Sequence, residues 1–120
     1  MSHTSLKQLP PTLREKKRYL VFEAISHRGS IPLAKAAKAI ALSYANLHGE
    51  KGSADSGLQF VSKRSRDELQ RGMIRVNRKH VLDLKAAIAL VKTVDNQDVV
   101  LRSIGLSGMI KKAEEKFMAS

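Results

Sequence analysis

The order in which strand-like and helix-like hydrophobic patterns follow one another constrains the fold of this chain more than any other feature. Residues 18–25 (RYLVFEAI) are rich in aromatic and β-branched side chains and alternate as a strand does. Further strands are predicted at 58–64, 71–77 and 99–104, and helices at 33–47, 81–91 and about 108–117. This order, β-α-β-β-α-β with an added C-terminal helix, is that of a ferredoxin-like, RNA-recognition-motif-like two-layer sandwich of the α+β class.

The same patterns predict which side chains are buried. On the first strand, Leu20, Phe22 and Ala24 face the main core, and Tyr19, Val21 and Glu23 lie on the opposite face. The predicted apolar stripes of the helices are Leu33, Ala36, Ala37, Ile40, Tyr44 and Leu47; Val81, Leu84, Ile88 and Val91; and Ile110, Ala113 and Phe117. Val21, Met73 and Val100 are left on the far side of the sheet, and either the third helix or a partner could cover them.

Turn and cap residues divide these elements. Ser30 and Asn77 are predicted to cap the first and second helices, and Gly49 to end the first. Residues 49–57 (GEKGSADSG) have the composition of a flexible loop, and 95–98 that of a turn. The chain is predicted to be one domain, 1–120, with 1–17 as an extended arm, because Pro10 and Pro11 exclude a helix there.

Charge points to the class of partner. The chain has 22 Lys and Arg against 11 Asp and Glu, a formal net charge of +11, and such a surface calls for an anionic partner. RNA or DNA is favoured over an anionic membrane, because no convincing basic amphipathic helix is present. The chain has no cysteine, no apolar run long enough to span a bilayer and no signal-peptide pattern, so a cytoplasmic protein is expected.

No motif predicts an enzyme. The four histidines, at 3, 27, 48 and 80, have no metal-ligand spacing, and the paired acids lie in predicted turns. Ser107 lies in GLSG, which is neither a nucleophile elbow nor a nucleotide-binding loop. We therefore expect no catalytic residue, metal site or cofactor.

Basic residues lie at two predicted helix N-termini, where the partial positive charge of the helix disfavours them. Arg78 and Lys79 open the second helix, and Lys111 and Lys112 open the third, after the turn that contains Ser107 and Gly108. A phosphate bound by free backbone N–H groups would make these cations ligands. The alternative is that they are merely solvated and that Ser107 serves only as a cap.

Two strand arginines extend this basic set. Arg75 and Arg102 are predicted to point to the same side of the sheet. An RNA-recognition motif carries aromatic residues there for base stacking, but this chain has RGMIRVN. Contacts to the RNA backbone, sensitive to salt and weak in sequence specificity, are therefore expected.

Four stretches in register resemble a known family. LPPTLREKKRYLVFEAIS, HGEKGSADSGLQFV, RGMIRVNR and GLSGMIKKAEEKF resemble protein component 2 of archaeal ribonuclease P, within the Pop-five family that eukaryotic ribonuclease P shares. The likeness runs from about Leu9 to Phe117 and implies the fold predicted above. It adds Lys16, Lys17 and Arg18 to the RNA-binding candidates, and it also covers Arg75, Lys111 and Lys112. The family commonly has threonine where this chain has Met109.

The resemblance also implies a function. Members are accessory subunits that bind the catalytic RNA of ribonuclease P, which removes the 5′ leader from precursor tRNA. Their usual protein partner is a TIM-barrel-like subunit, with which they are expected to form a heterotetramer. Two alternatives stay open: another basic RNA-binding protein, of the ribosomal or RNA-chaperone type, and a ferredoxin-like homodimer that binds a small anionic effector.

Overall fold

A computed structural model of the chain describes residues 16–119. The strands are β1 (Lys17–Ile25), β2 (Gln59–Phe60), β3 (Arg71–Asn77), β4 (Thr93–Val94), β5 (Gln97–Asp98) and β6 (Val100–Ser107). The helices are α1 (Leu33–Ser56), α2 (Val81–Leu90) and α3 (Ile110–Phe117). The predicted order is confirmed, with the small β4–β5 hairpin added at the predicted turn. Its tip, Asp95 and Asn96, has φ of 54° and 64°, as a tight hairpin turn requires.

One four-stranded antiparallel sheet carries the fold. Its strand order is β2-β3-β1-β6, so the first and third strands of the sandwich are central, as this topology demands. The α+β ferredoxin-like class is thereby confirmed. The predicted arm, residues 1–17, falls outside the described residues except for Lys16 and Lys17, and Lys17 already belongs to β1.

The main core lies between one face of this sheet and the two long helices. Leu20, Phe22 and Ala24 of β1 are buried there, as predicted, with Ile74 and Val76 of β3. The helices contribute their predicted stripes, including Ile40 and Tyr44, which are essentially inaccessible to solvent. Leu47 departs from the prediction, because it is 45% exposed on the outer side of α1.

A second, smaller core lies on the opposite face of the sheet, under α3. Val21, Met73, Ala113 and Met118 are buried there. The third helix therefore covers Val21 and Met73, whereas Val100 stays 60% exposed. Ala113 is fully buried as predicted, and Ile110 and Phe117 are partly buried against the same cluster.

Phe117 packs directly on the sheet. Its ring lies over Gly105, so closely that a Cβ added there would stand 2.1 Å from the ring. Only glycine at position 105 leaves space for this packing.

Three predicted boundaries are wrong. Residues 50–56 are helical and not a loop, because α1 only breaks at Gly49 (φ 75°, ψ 179°) and then continues to a left-handed C-cap at Gly57. The strand predicted at 58–64 is limited to Gln59–Phe60, because the chain then forms a 3-10 turn at Ser62–Arg64. Directly after that turn, the Ser65 hydroxyl accepts the Met73 N–H (3.1 Å). β6 extends to Ser107, past a bulge in its pairing with β1.

Both predicted helix caps are also wrong. The N-cap of helix α1 is Pro32, and the Leu33 N–H donates to a side chain distant in sequence, Asp67 Oδ1 (3.4 Å), so Ser30 has no capping role. Asn77 precedes a 3-10 turn, Arg78–His80, and does not cap the helix; its amide donates instead to the Asp55 carbonyl (2.7 Å). This bond ties the C-terminal end of α1 to the end of β3.

Candidate nucleic-acid interface

Strand register brings most of the predicted RNA-binding residues to one end of the sheet. Lys17 is opposite Asn77 and Tyr19 is opposite Ser107, so the start of β1 lies between the ends of β3 and β6. The Arg78 N–H donates to the Lys16 carbonyl (2.7 Å), which holds the turn after β3 beside the start of β1. Helix α3 begins just after β6 ends, so its first turn belongs to the same end.

We call this surface the basic end. It consists of the ten residues Lys16, Lys17, Arg18, Arg75, Arg78, Lys79, Ser107, Gly108, Lys111 and Lys112. Ten of the eleven candidate residues are thus at one end of the molecule, although they come from three separate stretches of sequence, 16–18, 75–79 and 107–112.

The positive charge of the basic end is not balanced within the described residues. None of the ion pairs between residues 16 and 119 involves any of its eight Lys and Arg side chains. The acids that form ion pairs are engaged elsewhere, at Glu23, Glu68, Asp83, Asp95 and Glu114. An uncompensated group of this size creates a strong local attraction for polyanions.

Arg18 is held across the start of β1. Its guanidinium donates to the Lys17 carbonyl (2.9 Å) and lies beside Gly108, where an added Cβ would stand 3.6 Å from Nη1. The Lys17 ammonium donates to the Asn77 side-chain oxygen. These contacts leave both side chains partly exposed and fix the direction in which their charges point.

The turn before α3 is ordered by Ser107. Its hydroxyl accepts the Met109 N–H (3.2 Å), but Met109 is the N-cap and makes no side-chain cap bond to the helix. The predicted capping role of Ser107 is therefore wrong in detail, since the serine orders the preceding turn. The first turn of α3 contains no acid to offset Lys111 and Lys112.

Arg75 is partly buried within the sheet. It lies opposite Tyr19 on β1 and Gln59 on β2, on the same face as Tyr19. Its Nε atom is buried and has no hydrogen-bond partner among the described residues. A buried donor without an acceptor costs about 1–3 kcal/mol.

Arg102 lies apart from the other candidates. It shares a face with Arg75 as predicted, but it is opposite Glu23 near the other end of β1. Its guanidinium binds Glu23 through Nε (2.9 Å) and Nη2 (2.8 Å). Since Tyr19 and Glu23 are four residues apart on one strand, about 13 Å separates Arg102 from the basic end.

Glu23 is the centre of an arginine pair that sequence reasoning missed. Arg71 reaches the same carboxylate (3.2 Å) and also donates to the main-chain carbonyl of Phe117 (2.9 Å). Burial raises the pKa of Glu23, but the hydrogen bonds and charges of Arg102 and Arg71 lower it more, so its pKa lies below the ordinary value. The signal available in the sequence was the single acid of the strand at 18–25, together with arginines at 71 and 102 on two other predicted strands.

Residues 16–119 contain no group of three or more His, Asp or Glu side chains placed to hold a metal ion. Within that same range, no helix is both long enough and apolar enough to cross a membrane.

The chain is similar to known proteins over most of its length. The model of the Rpp14/Pop5 family matches residues 18–118. Proteins named ribonuclease P protein component 2 are 40% identical in Thermococcus gammatolerans and 36% identical in Thermococcus kodakarensis, each over 94% of this chain and 92% of the relative. The one from Methanosarcina acetivorans is 34% identical, over 94% of this chain and 82% of its own. A chain in the cryo-EM structure of yeast ribonuclease MRP shares the fold (TM-score 0.59, 13% identity, covering 78% of this chain and 75% of that one).

Proposed function

The chain belongs to the Rpp14/Pop5 family, and we propose that it is a non-catalytic protein subunit of ribonuclease P. In this role it binds and stabilises the catalytic RNA, which removes the 5′ leader from precursor tRNA. The chain meets precursor tRNA only indirectly, through the complex, and contributes neither a catalytic residue nor a cofactor. This function implies a cytoplasmic protein.

The basic end is the observation that carries the proposal. Its eight cations have no ion-pair partner between residues 16 and 119, so they would repel one another in the free protein. Bound phosphates would remove that repulsion and release counterions from the RNA. Free N–H groups in the first turn of α3 add donors for a phosphate beside Lys111 and Lys112.

We propose that binding occurs through the RNA backbone and not through bases stacked on the sheet. Helix α3 covers the sheet face that a single-stranded RNA would use, since Val21 and Met73 are fully buried beneath it. That face also offers no aromatic residue on β3. Contacts at the end of the sheet fit phosphates of a folded RNA, whose shape rather than sequence is recognised.

We propose that a protein partner binds the outer face of the helix layer. This partner is the TIM-barrel-like subunit, with which the chain forms a heterotetramer. Leu42, Leu47, Leu82 and Leu90 are 59%, 45%, 78% and 54% exposed. The first two and Leu90 line a groove of about 400 Å³ between α1 and the end of α2. Exposed apolar surface of this kind is typical of protein interfaces and unsuited to phosphates.

Reconstitution tests the function. Ribonuclease P RNA and the remaining protein subunits are assayed for precursor tRNA cleavage with this chain, without it, and with the variant carrying Lys111→Glu and Lys112→Glu. We expect the chain to raise the cleavage rate or lower the magnesium requirement, and the variant to do so less while keeping its helix signal by circular dichroism. Cleavage that does not respond to the chain would refute the assignment.

Binding to unrelated RNA distinguishes a ribonuclease P subunit from the first alternative, another basic RNA-binding protein. A general RNA-binding protein would bind ribosomal fragments and ribonuclease P RNA equally at the same salt concentration. A homodimer that binds a small anionic effector would show no RNA affinity at moderate ionic strength. We expect preference for ribonuclease P RNA, because strand register and the position of α3 set the spacing of the cations, and this spacing favours an RNA whose phosphates match it.

A further inference from the structure

We propose that Arg71 is a positioning residue, which anchors the C-terminal end of α3 so that Lys111 and Lys112 at its other end are held in the RNA interface. This inference rests on the proposed function, since it concerns how the same interface is kept in place. Arg71 itself lies at the far end of the sheet, beside Glu23, and is not part of the basic end.

Helix α3 needs an anchor because it is short. It has eight residues, about two turns, and a helix of that length is not stable by itself in water. Its position therefore depends on tertiary contacts. Ala113 and Met118 are buried in the second core, and the Phe117 ring lies on Gly105. The Arg64–Glu114 ion pair is half exposed and contributes little.

Arg71 joins the end of the helix to the sheet. Its Nη1 donates to the Phe117 carbonyl (2.9 Å), one of the carbonyls that the helix leaves without a helical partner. A cation there also offsets the partial negative charge of the helix C-terminus. The guanidinium is fixed in turn by Glu23, through Nε (3.2 Å), and Glu23 is fixed by Arg102.

Because α3 is a short, straight element, the contact at its C-terminal end also determines where its N-terminal end lies. Helix α3 is about 12 Å long, so a tilt of about 10° at one end moves the other by about 2 Å. A shift of that size breaks a hydrogen bond to a phosphate. Because Lys111 and Lys112 are in the first turn and Phe117 is in the last, loosening the Arg71 contact displaces both lysines together.

A double-mutant cycle tests the proposal in the full chain. Arg71→Met keeps the aliphatic stem, removes both hydrogen bonds and leaves Glu23 paired with Arg102. Its effect on affinity for ribonuclease P RNA is measured in the wild-type chain and in the chain with Lys111→Ala and Lys112→Ala. We expect a loss of several-fold in the first background and almost none in the second, because the contacts that Arg71 supports are already absent there.

Matched variants separate positioning from charge. Arg66→Met removes an equal charge from an arginine paired with Glu68, and Arg102→Met removes a Glu23 partner whose hydrogen bonds and ion pair, among residues 16–119, are to Glu23 and not to α3. Both should reduce affinity less than Arg71→Met does. Arg71→Lys keeps the positive charge but has a single donor group, so it should give an intermediate loss of RNA affinity. It also replaces Arg71→Met in the test if that variant fails to fold.

Hydrogen exchange gives a readout that does not depend on RNA. Amides of 110–117 should exchange faster in Arg71→Met than in Arg102→Met, while those of β1 and β3 stay protected. An equal loss of RNA affinity in both lysine backgrounds, or unchanged exchange in α3, would overturn the proposal. If the wild-type chain bound no RNA, the proposed function would fail, and the exchange measurement alone would still decide whether Arg71 anchors α3.

Discussion

Substituting Gly105 by alanine should destabilise the protein through α3. A Cβ at this position would lie 2.1, 2.2 and 2.4 Å from three atoms of the Phe117 ring, so the ring must leave its place on the sheet. Overpacking of this kind costs about 1–3 kcal/mol. The usual advantage of alanine over glycine in a strand, about 0.5–1 kcal/mol, offsets part of it. We therefore expect the free energy of unfolding to fall by about 1 kcal/mol, the difference between the mid-points of these two ranges.

Urea unfolding, followed by far-ultraviolet circular dichroism, measures the change. Gly108→Ala is the control, because its Cβ would be in ordinary contact, 3.6 Å from the tip of Arg18, and its stability should change by less than about 0.5 kcal/mol. In a chain with Phe117→Ala, Gly105→Ala should cease to destabilise, since the ring is gone. If Gly105→Ala were as stable as wild type, or cost the same without the ring, the packing argument would be refuted.

Three further predictions concern other parts of the molecule. Glu23→Gln should be less stable than wild type at neutral pH. Because the pKa of Glu23 is lowered in the folded state, its carboxylate contributes to the free energy of unfolding above the ordinary carboxyl range, and this contribution is lost as pH falls through the folded pKa. The stabilities of the two proteins in chemical unfolding should therefore converge in acid. Ser65→Ala should cost about 1–3 kcal/mol in chemical unfolding, because it leaves the Met73 N–H without its acceptor. Leu82→Lys with Leu90→Lys should leave the melting temperature nearly unchanged, since both are largely exposed, but abolish co-elution with the other protein subunits in size-exclusion chromatography.

The sequence predicts the fold well where periodicity is strong. The pattern predicts the strand at 18–25 and, apart from Leu47, the apolar stripes of α1 and α2 with their buried faces, because burial on one side leaves a regular trace. The sequence predicts the ends of helices and strands poorly where a contact with a residue further along the chain determines them. The extension of α1 to Ser56 depends on Asn77, and the 3-10 turn after β2 depends on the hydroxyl of Ser65.

The candidate interface was predictable in residue type but not in arrangement. Cations at predicted helix N-termini and on strands indicate a set of residues most of which the structure brings to one end, yet the sequence could not separate Arg102 from the rest. That separation follows from strand register, which pairs Arg102 with Glu23 and places Ser107 beside Tyr19. The anchoring role of Arg71 was missed, because its partner is a main-chain carbonyl and leaves no trace in the side-chain pattern.

The salt dependence of RNA binding tests the central claim, that the basic end is the RNA interface. Affinity for ribonuclease P RNA is measured across a salt series for wild type, for Lys111→Ala with Lys112→Ala, and for the control Lys38→Ala with Lys85→Ala. The control residues are exposed helix-layer lysines that form no ion pair with any residue from 16 to 119. The slope of log K against log salt should become shallower by about 1.4–1.8 in the α3 variant, for two lost phosphate contacts. It should stay unchanged in the control. Equal slopes for all three proteins, or an equal decrease in both variants, would contradict the account.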